Sequence, residues 1–342
     1  MVAVDARNDF SDRLAITASA RYDAAAIQLD GLTCSSNSTN TLCGTGATDE
    51  YTPVVGNHTY RRFNPALGAT YQLNPDTTIF TTYSEGFRTP SAIELACADE
   101  TKPCSGIPNA FGADPELKAV VSQTAELGFR GNFNRNNNWR FAVFRTELTN
   151  DIIFNSTTIT QGYFSNVGRT RRQGLELGVN GKNHPWDYAL NVSWMDATFQ
   201  SAFHIANEAN STCSAGSCPL NKKGDKIPGI PESMVKLHLG YALSAQTHLG
   251  ATVLIQGSVY ARGDENNLDQ NGKVPGFATL RFDSTHRIDK SLELFAGVTN
   301  VFDKRYATYG VIASNNLAAG AAEQFRSLGA PRAFFAGVRG NF

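Results

Sequence analysis

Six histidines, six cysteines, an acid- and amide-rich run and a basic triplet are the residues of this 342-residue chain that could do chemistry. None has the spacing of a known reaction centre. There is no Gly-x-Ser-x-Gly elbow, no His-Glu-x-x-His pair and no phosphate-cradling glycine loop ending in Lys-Ser/Thr. The histidines (58, 184, 204, 238, 248 and 286) are scattered through turns, loops and strand-like segments, and His238 and His286 read as polar wall positions rather than metal ligands. The run Asp264-Glu-Asn-Asn-Leu-Asp-Gln-Asn-Gly272 is rich in oxygen ligands but lacks the EF-hand order and its closing Glu. Two readings stay open for it, a surface cation site or a solvated loop. Arg169, Arg171 and Arg172 could meet an anionic chelate or a lipopolysaccharide phosphate, or could be solvated or lumen-facing and paired with Glu176 or Asp283. The cysteines form three close pairs, Cys34 with Cys43, Cys97 with Cys104 and Cys213 with Cys218, none at zinc or thioredoxin spacing. They are read as local disulfides pinning loops in an oxidising compartment. The chemistry expected is non-covalent binding: no enzyme, no cofactor and no metal centre.

The elements that would position these residues are strands. Apolar and polar residues alternate near 12–29, 60–73, 77–88, 120–132, 137–155, 161–181, 186–200, 230–244, 247–263, 273–289, 291–309 and 331–342, and residues 2–6 fit the tail of one more. Short connections such as Asn74-Pro75-Asp76 and Lys182 to Pro185 alternate with mostly longer ones at 30–59, 89–119, 201–229, 264–272 and 310–330. Short turns on one rim and long loops on the other describe an antiparallel up-and-down transmembrane barrel. The cysteine pairs then share the long-loop rim, and Phe342 ends the last strand on the short-turn rim.

The faces sort by period. Leu280, Phe282, Leu292, Leu294, Ala125, Leu127, Leu175 and Leu177 form an outer stripe. Glu126, Arg130, Glu176, Arg281, Asp283 and Glu293 fall opposite, facing a wet or filled lumen, because a charge in hydrocarbon costs roughly 2–4 kcal/mol. The phase of 137–155 is ambiguous. Trp186, Trp194, Tyr241 and Tyr260 suit interfacial girdles. No apolar run reaches the ~20 residues of a membrane-spanning helix, and a net charge of −1 argues against nucleic acid as a partner. Met1 to Asp5 carry neither the basic nor the apolar region of an export signal, so a mature product or a piece of a longer chain is expected.

Several runs resemble the C-terminal part of TonB-dependent outer-membrane receptors. They include Phe87-Arg-Thr-Pro-Ser91 followed by Glu94-Leu95, Asp114-Pro-Glu-Leu-Lys118, Thr124 to Arg130, Asn166-Val-Gly168 leading to Gly174-Leu-Glu176, Ile227 to Pro231, Val274 to Phe277, Asn300-Val-Phe-Asp-Lys304 and Pro331 to Phe342. They occur in family order over most of residues 60–342. The resemblance implies about 12 strands of a 22-strand barrel, with residues 1–342 as the C-terminal portion and no plug domain or export signal in the chain.

It also implies a bacterial outer-membrane receptor for energy-coupled uptake of a scarce solute such as a ferric siderophore. The implied partners are membrane lipid and lipopolysaccharide, the barrel-assembly machinery acting on Phe342, and the TonB–ExbB–ExbD complex acting through the missing N-terminal region. A plug-free passive pore or a non-functional fragment is the alternative. Aromatic and arginine side chains at a rim suit flat, charged chelates, so the expected contacts are Phe111, Tyr163, Arg169, Tyr260, Arg262 and Tyr309.

Overall fold

The computed structural model describes residues 2–35, 50–98, 104–105, 117–156, 161–204, 207, 209–214, 218–315, 317 and 320–340. Thirteen strands form one antiparallel sheet. In spatial order they are β1 (Val2–Asp9), β2 (Leu14–Ser35), β3 (Glu50–Asn74), β4 (Thr77–Arg88), β6 (Val120–Asn134), β7 (Asn137–Thr149), β10 (Arg169–Asn183), β11 (Trp186–Phe199), β12 (Ser233–Ala242), β13 (Thr247–Gln256), β14 (Phe277–Arg287), β15 (Leu292–Thr299) and β18 (Ala333–Gly340). The wall therefore holds the twelve expected strands plus β1, where residues 2–6 had suggested one more. The turns at 10–13, 75–76, 135–136, 184–185, 243–246 and 288–291 share one rim, because alternate connections of an antiparallel sheet fall on the same side.

Several expected strands are shorter than their alternating pattern, among them 247–263, which ends at Gln256, and three that stop at left-handed residues. Asn150 takes a left-handed φ of 57° and ends β7 at Thr149, Gly168 (φ 78°) precedes β10, and Asn300 (φ 48°) follows β15. Beyond these breaks lie a small sheet of β5 (Cys104–Ser105), β9 (Gln161–Asn166) and β8 (Ile152–Ser156), and a hairpin of β16 (Ala307–Asn315) and β17 (Ala321–Leu328).

Register decides the faces. On β11 the outward side chains read Trp186, Tyr188, Leu190, Val192 and Trp194, opposite Leu175, Leu177 and Val179 of β10 and Val235, Leu237 and Leu239 of β12. From Trp186 to Trp194 is ~27 Å along the strand, or ~20 Å along the membrane normal at the usual tilt of ~40°, which sits inside the ~25 Å apolar band of such walls. The band ends sharply. Past Trp194, Asp196 binds Lys226 (2.7 Å), and past Val143, Arg145 and Arg171 both hold Glu147.

The opposite face carries the charges. Arg140 meets Glu126 (2.5 Å), Arg281 meets Asp283 (3.1 Å) and Arg339 meets Glu293 (3.1 Å). Arg130 and Arg140 lie over the ring of Phe80, which covers Gly128 across the strand pair. Glu176 lines a groove of about 410 Å³ with Arg140, Asn191, Ser193 and Lys236. The register also settles 137–149: Trp139, Phe141 and Val143 face out and Arg140 and Phe144 face in. Each face thus has at least one aromatic and an arginine, which is why its phase is ambiguous in sequence.

Buried apolar cores lie in the loops rather than on the wall. One cluster joins Ala209, Val259, Ala261, Val274, Ala307 and Ile312. A second joins Leu95, Ala98 and Leu117, with Ile27, Leu29, Ile152 and Phe164 against it.

Candidate ligand-binding site

The family-like runs turn out to be junction locks between loops and strands. In Phe87 to Leu95, Ser91 caps the helix α1 (Ala92–Ala96) and exchanges hydrogen bonds with Glu94, a capping box. Arg88 holds the same Glu94 at 2.6 Å, and Leu95 is fully buried. The Asn166 side chain bonds both the N–H and the carbonyl of Lys118 and donates to the Asn150 carbonyl, tying the entries of β6 and β10 to the exit of β7. Asn300 clasps the Lys304 backbone and the Ala330 carbonyl, while Asp303 accepts the Arg332 N–H (3.0 Å). These residues shape the long-loop rim.

At that rim a cavity of about 270 Å³ lies between the two loop cores. Ile153 and Phe154 of β8 form one side, Arg262, Glu265 and Tyr309 the other, and Phe199, Ile227 and Pro228 complete it. The Arg262 guanidinium stands 5.5 Å over the Phe154 ring. Its backbone is clamped, donating to the Gly310 carbonyl (2.9 Å) and accepting from Ile312 N–H (2.8 Å), which joins the hairpin to the 262 loop. Two of the expected contact residues, Arg262 and Tyr309, meet here.

The other four are elsewhere or outside the described residues. Tyr260 lies beside the cavity wall under the Lys273 ammonium, 4.7 Å from its ring centre. Tyr163 is buried in β9 opposite Asn155. Arg169 is an exposed first residue of β10 whose N–H is held by Ser201. Phe111 lies outside the described residues, as does Phe342. Phe154 carried no signal in the sequence and Glu265 only that of its acid- and amide-rich run, since their places in the cavity come from loops meeting across long separations.

Two readings of the basic and acidic runs are corrected. Arg171 pairs with Glu147 (2.7 Å) and Arg172 with Asp151 (3.4 Å), not with Glu176 or Asp283, because register sets them beside β7 and the β7–β8 corner. The 264–272 run is packed rather than solvated, with Asp264, Glu265, Asn266 and Asp269 all buried. Asp264 accepts the Asp269 N–H, Asp269 the Ser211 N–H, and Asn210 donates to the Gly263 carbonyl.

The disulfide Cys213–Cys218 closes this neighbouring segment. Cys97 is also disulfide-bonded, while Cys43 and the side chains of Cys34 and Cys104 are outside the described residues. Among the described residues no three His, Cys, Asp or Glu side chains gather to hold a metal ion. His238 and His286 bond Thr252 and Thr247, and His248 bonds Asp187.

Burial pushes the Asp264 carboxyl from 3.8 up to about 6 and the Glu265 carboxyl from 4.5 up to about 7. A carboxyl whose folded pKa is raised holds its proton more tightly when folded, so its contribution is full below about pH 4 and is lost as pH rises through 6–7. At ~1.4 kcal/mol per unit, ionising either one should weaken this loop by on the order of 3 kcal/mol. Limited proteolysis within 257–276 should therefore accelerate between pH 5 and pH 8. Asp264→Asn with Glu265→Gln should flatten that dependence; an unchanged pH profile would contradict it.

The comparisons agree with this architecture. The family described as "TonB dependent receptor-like, beta-barrel" matches residues 2–301. A probable TonB-dependent siderophore receptor, PiuA of Acinetobacter baumannii, is 25% identical over 245 residues, 70% of this chain and 30% of that protein. The ferric-catecholate import receptor Fiu of E. coli K12 superposes with a TM-score of 0.70 at 20% identity, covering 99% of this chain and 44% of the other. A copper transporter, OprC, gives the same TM-score at 16% identity, covering 99% and 47%. The chain thus spans about a third of the length of its curated relative and under half of these structures. The match over residues 2–301, on a wall of this strand order and polarity, places this chain in the TonB-dependent receptor family, as part of its outer-membrane β-barrel.

Proposed function

We propose that this chain is the C-terminal portion, residues 1–342, of the barrel of a receptor that takes up a scarce anionic chelate, a ferric siderophore or a similar complex. Passage would be driven by the TonB–ExbB–ExbD complex acting through an N-terminal plug region. The observation that carries the reading is the rim cavity, where a guanidinium over an aromatic ring shares the lining with a tyrosine. Such a pairing suits a flat, negatively charged complex. It disfavours a bare metal cation as cargo, although a copper transporter shares the fold. The siderophore receptor among the relatives supports the same class of ligand.

The test is binding and uptake of iron chelates by the full-length receptor. Arg262→Gln removes a charge-assisted contact worth ~1.5–3 kcal/mol and should weaken binding of the recognised chelate by roughly ten- to a hundredfold. Its backbone clamp stays in place, so folding should not change. Unaltered affinity would remove this cavity from the binding site. Uptake that persists after the inner-membrane gradient is dissipated would point instead to a passive pore.

A further inference from the structure

The inward face of the wall is charged almost everywhere. Register sets at least one Asp, Glu, Lys, Arg or His on that face of every strand but two, from Arg7 on β1 and Arg21 on β2 to Glu293 on β15 and Arg339 on β18. The two exceptions are neighbours. From Asn64 to Gln72 on β3 and from Thr78 to Gly86 on β4, every inward position is uncharged. Ala66 and Gly68 make a floor between hydroxyls: Ala66 pairs with Ser19 on one side and Ser84 on the other, and Gly68 pairs with Thr17 and Thr82. An open hollow of about 420 Å³, lined by those hydroxyl residues, lies over the floor. Phe80, beneath Arg130 and Arg140, marks its border with the charged strands.

Resting on the uptake reading above, we propose that the anionic chelate crosses along this uncharged track, from the long-loop rim to the short-turn rim. Asn64 to Gln72 is ~27 Å along the strand, the same reach as Trp186 to Trp194 on the outward face. The track therefore runs through most of the depth of the apolar band. A route must bind its cargo well enough to admit it and weakly enough to let it go. Hydrogen bonds to a charged wall group are roughly twice as strong as those to a neutral hydroxyl, and a row of hydroxyls offers the next bond as the last one breaks. The charged strands hold a hollow of nearly equal size, about 410 Å³, but Arg140, Glu176 and Lys236 line it. A chelate there is held by the cations and repelled by the acid, whereas the β3–β4 face does neither.

Uptake by cells whose one chelate receptor is the full-length protein tests this, with radioiron supplied as catecholate, hydroxamate and citrate chelates. The probe is whichever of these the unaltered receptor takes up. Binding is read in de-energised cells and transport in energised ones. Gly68→Trp and, separately, Ala66→Trp should slow transport about tenfold and leave binding unchanged. A Cβ at Gly68 meets nothing nearer than 3.7 Å, so the new ring has room to project into the hollow. Gly178→Trp, on the same face among the charged strands and with its nearest neighbour also at 3.7 Å, should change neither. Thr82→Lys should slow transport, and Thr82→Met, of similar length, should not. Heat-modified gel migration confirms that each variant is folded, and the two fillings back each other up if one fails to assemble. Equal transport by the filled variants and Gly178→Trp, or by Thr82→Lys and Thr82→Met, would overturn the route. An unaltered receptor that takes up none of the chelates would remove the uptake reading itself, and the route with it.

Discussion

Arginine at Leu190 should lower the folding stability of the wall by roughly 2–4 kcal/mol, whereas arginine at the adjacent Asn191 should change it little. Leu190 sits midway between Trp186 and Trp194 on the outward face, opposite Val179 and Leu237. A guanidinium there has no water and no counter-ion. Asn191 points the other way and lines the groove that contains Glu176. The two positions differ by one residue in sequence and by a membrane in environment. Urea unfolding of the receptor in defined lipid would read the difference. Equal losses at the two sites would mean that the face assignment is wrong.

The second large effect is expected at Gly128. An alanine Cβ there would stand 2.4 Å from the Phe80 ring and 2.6 Å from the Phe141 carbonyl oxygen. The ring could move only by leaving Arg130 and Arg140, and the carbonyl belongs to the strand itself. Gly128→Ala should therefore cost about 1–3 kcal/mol, the range for overpacking. Gly178→Ala is the control, since its nearest neighbour is the Asn191 side chain at 3.7 Å. There, the gain of a side chain in a strand should be neutral or slightly stabilising. If both variants unfolded at the same urea concentration, the stack of Phe80 on Gly128 would not be a structural constraint.

Much of this architecture is legible because a wall with two different solvents imposes period two on every strand. Leu175, Leu177 and Val179 against Glu176 declare their faces without any partner being known. The alternation of short and long connections then orders the strands, since each pairs with its neighbour in the chain. What resists reading is whatever depends on loops meeting far apart in sequence. Asp264 to Gly272 looks solvated by composition, yet it is buried by partners at Asn210, Ser211 and Lys226. Arg171 and Arg172 look available for an anion, yet register gives each an acid from the β7 side. Phe154 looks like an ordinary strand residue until Asn150 turns the chain and sets it beneath Arg262. The family-like runs are the exception among loop features. Capping boxes and side-chain clasps such as Ser91–Glu94 and Asn300–Lys304 are local, and local hydrogen bonding leaves a fixed spacing.

The two apolar loop cores have a consequence for how recognition can change. Phe154 and Ile153 hang from the body organised by Leu95 and Leu117, and Arg262 and Tyr309 from the body organised by Val274 and Ile312. A guest between them acts as a staple joining two separately nucleated lobes. Its affinity then includes the work of setting the lobes at one spacing. Substitutions deep inside either nucleus can retune selectivity without touching the guest, and the rim can drift to new cargo while the wall beneath it stays as it is.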